Sequence, residues 1–145
     1  GNNKTWDELI MALEAGVGCI VVDNAMECEL LVKAAQRVGT TVRTLIRVNP
    51  GVEAHTHKYI VTAHLDSKFG ISISRMEDIR DMIQTLTSIP NIAFEGFHSH
   101  IGSQIFDKDA YVAEIQTLMK FVDDMQKAYG ITTKALNLGG GFAAY

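Results

Sequence analysis

Apolar residues recur along this chain in two alternating rhythms. Helical spacing appears first at Leu9, Ala12 and Leu13, behind Thr5 and Glu8 in capping-box positions and ahead of Gly16. Asn24 and Glu27 repeat the box spacing, followed by a stripe of Leu30, Leu31, Ala34, Ala35 and Val38 that stops at Gly39. Ser74 and Glu77 predict a third box, with Ile79, Met82, Ile83 and Leu86 behind it. A last helix carries Tyr111, Ile115, Leu118, Met119, Val122 and Met125, with Gly130 past its end. These stripes are the faces by which helices pack on a core.

Between the helices lie short apolar runs, CIVVD (19–23), VRTLIRV (42–48), IAFEGFHSH (92–100) and ALNLG (135–139). They are too short and too rich in β-branched residues or leucine for helices, and read as strands. Strand and helix alternate, which predicts parallel βαβ units. Both a doubly wound open sheet and a (β/α)8 barrel fit, and four strands would be about half of a barrel. No helix is expected between Asn49 and Ile73, a connection long enough to suggest function.

Chemistry gathers at the predicted strand ends: Asp23-Asn24, Arg47 to Pro50, His98 to Ser103, and Gly139 to Gly141. His98 and His100 flank Ser99, so both side chains share one face of a strand. That pair could supply two zinc ligands, serve a cofactor, or be hydrogen-bonded within a core. His55 and His57 repeat the spacing beside Lys58 in the long connection, where a solvated loop is the plainer reading. Gly102-Ser103 and the Gly139-Gly140-Gly141 triplet offer backbone N–H groups and a hydroxyl suited to a phosphate. Neither is a dinucleotide fingerprint or a Walker A loop. Arg47 ends an apolar strand and needs an anionic or hydrogen-bonding partner, either a ligand or a structural carboxylate. Asp23 could cap the following helix or hold water, the cap being the plainer reading, and Lys68 could be a reactive amine, though a solvated lysine is the plainer reading.

The 145 residues are 47% hydrophobic and 21% charged, enough for one globular domain. A net charge of -4 without a basic run does not favour nucleic acid as a partner, and no apolar run is long enough to span a bilayer. Two cysteines, Cys19 and Cys28, form no disulfide framework; both are read as structural, and a cytoplasmic location is expected.

Three stretches together carry a resemblance. RVNPGVEAHTHKYIVTAHLDSKFGIS, GFHSHIGSQIF and LNLGGGF follow one another as in the diaminopimelate decarboxylases, pyridoxal 5'-phosphate enzymes of the alanine racemase and ornithine decarboxylase-like fold. The likeness covers essentially the whole chain. It implies a partial (β/α)8 barrel, roughly the middle four strands with their helices, so that residues 1–145 are a fragment of the cofactor-binding barrel domain without its C-terminal β domain. It further implies that His100 stacks on the pyridoxal ring, that Ser103 and Gly139, Gly140 and Gly141 hold the phosphate, and that Arg47 lies near the cofactor. His98 becomes a neighbour, and no metal is implied. The reaction would convert meso-2,6-diaminopimelate to L-lysine and carbon dioxide in a homodimer acting on a small amino acid. Another decarboxylase or racemase of this fold is the nearest rival, and a metal-dependent barrel hydrolase using His98 and His100 a more distant one. Ser99 stands where the family often has Cys, Ala63-His64 where a glycine is common, and a further glycine often found after the triplet is absent.

The resemblance places the Schiff-base lysine before Gly1 and the catalytic cysteine after Tyr145, so the segment alone is expected to be inactive. An open part-barrel would also expose sheet edges. The isolated segment should therefore self-associate on size-exclusion chromatography; a monomer with a cooperative melt would contradict this.

Overall fold

The computed structural model describes residues 5–50, 70–99 and 112–137, together with the backbone alone at 108–111. In chain order they form α1 (Trp6–Glu14), β1 (Cys19–Val22), α2 (Ala25–Val38), β2 (Val42–Asn49), β3 (Ile71–Ser72), α3 (Met76–Leu86), β4 (Ile92–His98), α4 (Lys108–Tyr129) and β5 (Ala135–Asn137).

Every strand pairing among the described residues is parallel. The main path runs β1-β2-β4-β5, with β3 paired to the end of β2. Strand order on that path follows chain order. A doubly wound sheet reverses at a switch point, whereas a barrel does not, so the order selects the barrel arrangement. The strand β3 is an addition to the sequence reading. Its two residues pair Val48 with Ile71 and Asn49 with Ser72, and so short a run has no periodicity to detect.

The helices start for mostly local reasons. At α1 the Thr5 hydroxyl accepts from the Glu8 N–H at 3.2 Å and the Glu8 carboxylate accepts from the Thr5 N–H at 3.0 Å, a full capping box. At α2 Asn24 accepts from the Glu27 N–H at 2.9 Å, and Gly39 closes the helix in the left-handed region. The second half of this box is displaced, because Glu27 accepts from the N–H of Asp23 at 2.8 Å. The cap expected of Asp23 thus falls to Asn24, and Asp23 is held through its backbone. The Ser74 box does not form: the N-cap of α3 is Arg75, without a side-chain cap, and the Ser74 N–H donates to the Ser72 hydroxyl.

One core lies between the sheet and the helices. Ile20, Val22, Ile46, Val48 and Phe97 from the strands meet Leu9, Leu13, Leu31, Ile79, Met82, Leu86, Leu118 and Met125 from the helices. The stripe of α4 holds at Ile115, Leu118, Val122 and Met125, but Met119 is exposed and Phe121 is buried in addition. Phe97 packs edge-on against both Phe94 and Phe121, with ring centroids 5.3 and 4.9 Å apart.

Two core phenylalanines three residues apart cannot share a face of a regular strand. A bulge permits it. Thr44 pairs with Phe94 and the next residue, Leu45, with Gly96, so Glu95 is the extra residue of β4. Its carbonyl still accepts from the Lys134 N–H at 2.8 Å. Gly96 then passes so close to β5 that a Cβ on it would collide with the Ala135 carbonyl oxygen. Gly96→Ala should therefore lower stability by about 3 kcal/mol or more, in the range of severe backbone and packing lesions. Urea denaturation of the full-length protein measures it, and an unchanged midpoint would contradict it.

Candidate functional site at the carboxyl ends of the strands

The bulge decides what the far end of β4 presents. In register across the sheet, Val21, Leu45, Gly96 and Ala135 form one row, and Val22, Ile46, Phe97 and Leu136 the next. The second row belongs to the helix-facing core. The row after it pairs Arg47 with His98 and His98 with Asn137, on the face away from the helices. Asp23 follows one step beyond the Val22–Ile46 pair, and so stands level with Arg47. An apolar and small row thus gives way, two residues on, to a guanidinium, an imidazole and a carboxamide, with a carboxylate alongside. This change falls at the carboxyl ends of parallel strands, where barrel enzymes place their ligands. None of these four residues is without an interaction partner.

Neighbouring elements fix the row. Asp23 is 5% and Glu27 4% exposed, and the Glu27 carboxylate anchors the Asp23 backbone. Arg47 is half-buried, and Gly70, the last residue of the SKFG motif, packs on it. A Cβ at Gly70 would come within 2.9 Å of the Arg47 carbonyl oxygen and 3.0 Å of its Cγ, at a φ of +94°. A glycine is therefore required beside Arg47, for both space and conformation. Ser99, just past β4, is 1% exposed; its N–H donates to the Asn137 carbonyl at 2.8 Å, and its buried hydroxyl has no hydrogen-bond partner among the described residues.

Of the six residues expected at the cofactor, Arg47 is among the described residues. His100, Ser103, Gly139, Gly140 and Gly141 lie outside them, as do His55, His57, His64 and Lys68. Sequence reading had made His98 only a neighbour. The register puts it in the same row as Arg47, and an isolated glycine inside a strand, Gly96, was the available signal of the bulge that does so. Among the described residues no group of three His, Cys, Asp or Glu side chains could hold a metal ion. No helix of the described residues is long and apolar enough to cross a membrane.

Strand order and rim together fit a β/α-barrel domain with a polar row at its strand ends. Comparison with known proteins makes this specific. A family model described as the pyridoxal-dependent decarboxylase, pyridoxal binding domain, matches residues 1–145, and the chain belongs to that family. Pyridoxal phosphate is the cofactor of the domain. Diaminopimelate decarboxylase of Bacillus subtilis (strain 168) is 46% identical over 142 residues, covering 98% of this chain and 32% of the relative. Among solved structures, diaminopimelate decarboxylase from M. jannaschii in complex with L-lysine superposes with a TM-score of 0.82 at 34% identity, covering 97% of this chain and 32% of the other. The Helicobacter pylori enzyme with L-lysine gives 0.74 at 26%, over 100% of this chain and 37% of the other. An alanine racemase from Clostridium difficile 630 shares the fold, with a TM-score of 0.69 at 11% identity. The chain thus spans about a third of the length of these decarboxylases, and the architecture is a partial (β/α)8 barrel.

The described residues suit such a cofactor. A phosphate dianion on an aromatic ring needs a fixed cation and polar groups on an open face. Arg47 and its row provide both, above a row of apolar and small side chains.

The cysteines differ in environment. Cys28 is buried, and desolvation, reinforced by Glu27 and Glu29, pushes its thiol up to about 12. Cys19 is exposed; partial desolvation raises its pKa against the opposing charge of Arg43. Because the thiolate is the reactive form, at pH 8 only about one Cys28 in ten thousand would be ionised. A chromogenic disulfide reagent at pH 8 should label Cys19 in the native protein and Cys28 only after denaturation. Rapid native labelling of Cys28, located by peptide mass, would contradict its burial.

Proposed function

We propose that this chain is part of the cofactor-binding barrel of a diaminopimelate decarboxylase. In the whole protein it would help convert meso-2,6-diaminopimelate to L-lysine and carbon dioxide. The observation that carries the proposal is the 46% identity to the Bacillus subtilis enzyme across 98% of this chain. The two decarboxylase structures with bound L-lysine support it further. In this reading a separate β domain completes the protein, which acts as a cytoplasmic homodimer.

The reaction breaks the bond between a carboxylate and its α-carbon, and a proton replaces the departing carbon dioxide. Bound pyridoxal phosphate supplies an electron sink for the pair left on that carbon. The protein must hold the cofactor, orient it and exclude competing chemistry. In our assignment His100 stands against one face of the ring. Ser103 and the backbone N–H groups of Gly139, Gly140 and Gly141 hold the phosphate, where several short donors suit a dianion. Arg47 contributes a positive charge in planar, directed donor geometry. Its backbone lies on a strand, and Gly70 packs against that backbone and the first part of the side chain.

Two experiments test the reading on the full-length protein. Incubation with meso-diaminopimelate should release L-lysine and carbon dioxide in equal amounts, dependent on added cofactor. Cofactor binding without lysine formation would move the assignment to another decarboxylase or racemase of this fold. In a titration followed by visible absorbance, Arg47→Met should weaken pyridoxal phosphate binding by roughly ten-fold or more, the scale of one lost charge-assisted contact. Unchanged affinity would remove Arg47 from the site.

A further inference from the structure

We propose that His98 is a positioning residue that acts on the cofactor through Arg47, an inference that rests on the pyridoxal phosphate reading above. The argument begins with register. His98 is the direct partner of Arg47 on β2 and of Asn137 on β5. Strands in a sheet lie about 4.8 Å apart, so the imidazole and the stem of the guanidinium are immediate neighbours on one face.

That neighbourhood is specified rather than incidental. Without the extra residue at Glu95, His98 would fall on the helix-facing side of β4. The bulge instead gives Phe97 to the core and His98 to the open face. It requires a glycine at position 96, where a Cβ would meet the Ala135 carbonyl. Bulges beside sites commonly re-aim one side chain in this way. The residues of the row below on the same face, Leu45, Gly96 and Ala135, are apolar or small. They give a guanidinium nothing to bond.

Arginine needs such support. Its stem has several rotatable bonds, and its planar head acts as a directed donor only when neighbours fix its plane. Gly70 confines the Arg47 backbone and Cγ on one side. Asp23, one residue past β1 and so level with Arg47, places a carboxylate across the row from His98. His98 closes the remaining lateral side with a flat ring that can donate or accept a hydrogen bond. The three residues thus set the direction in which Arg47 presents its charge.

The test is a double-mutant cycle in the full-length protein, read as pyridoxal phosphate affinity of the cofactor-free form. His98→Phe keeps the flat ring and removes its hydrogen bonds; it should weaken binding by roughly ten-fold, as expected for one bond to a charged group. His98→Asn puts an amide near the position of Nδ1, and His98→Gln near that of Nε2. One of the two should restore most of the affinity. In an Arg47→Met background, His98→Phe should cause no further loss, because residues acting through one another are non-additive. Equal losses in both backgrounds, or no loss in either, would overturn the inference while leaving the cofactor site intact. A wild-type protein that binds no pyridoxal phosphate would overturn the functional reading and this inference together. Should His98→Phe fail to fold, His98→Ala completes the same cycle. Urea unfolding of each cofactor-free variant separates a loss of affinity from a loss of fold.

Discussion

The strand β4 carries one more residue than the stretch of β2 it pairs with, and the orientation of everything beyond Glu95 depends on that residue. Parallel pairing alone would have kept a strict alternation of faces. The bulge resets the phase once, so that Phe94 and Phe97 both enter the core and His98 joins Arg47 on the open side. The reset is possible because Gly96 allows β4 and β5 to approach more closely than any side chain would permit. A packing requirement and a site requirement thus meet in two consecutive residues.

The rest of the rim is assembled by similar local devices. Glu27, on the first turn of α2, accepts from the backbone of Asp23 and ties the end of β1 to the helix that follows. Gly70 brings the start of β3 against Arg47. Ser99, just past β4, is almost fully buried, and its N–H ties that end of the strand to the Asn137 carbonyl on β5. Each device uses a backbone group or a buried side chain to fix a polar one, the support a preorganised site needs. The polar row therefore sits on paired strands, at Arg47, His98 and Asn137, with Asp23 just past the end of β1.

Much of this was legible in the sequence, for identifiable reasons. The α1 capping box and the stop at Gly39 are local chemistry, and local chemistry survives folding. The same Ser-x-x-Glu spacing misled at Ser74, because Ser72 offered a competing hydroxyl and the helix began after Arg75. Most of the core stripe of α4 was legible, with Leu118 and Met125 buried, but Met119 is exposed and Phe121 takes a core place, since several faces of that helix carry apolar residues. The strand β3 is two residues long and is set by its pairing with β2, which no single-strand pattern records. Arg47 stood out as a charge in an apolar strand, but its alignment with His98 is a property of register between distant segments. The motif that named the family told of cofactor chemistry; it did not tell of the bulge beneath it.

A crystal structure of the full-length protein with pyridoxal phosphate tests the central claim most directly. This account predicts the cofactor on the helix-free face at the carboxyl ends of the strands, beside Arg47 and His98. A cofactor bound elsewhere, or a metal ion held by His98 at that rim, would contradict it.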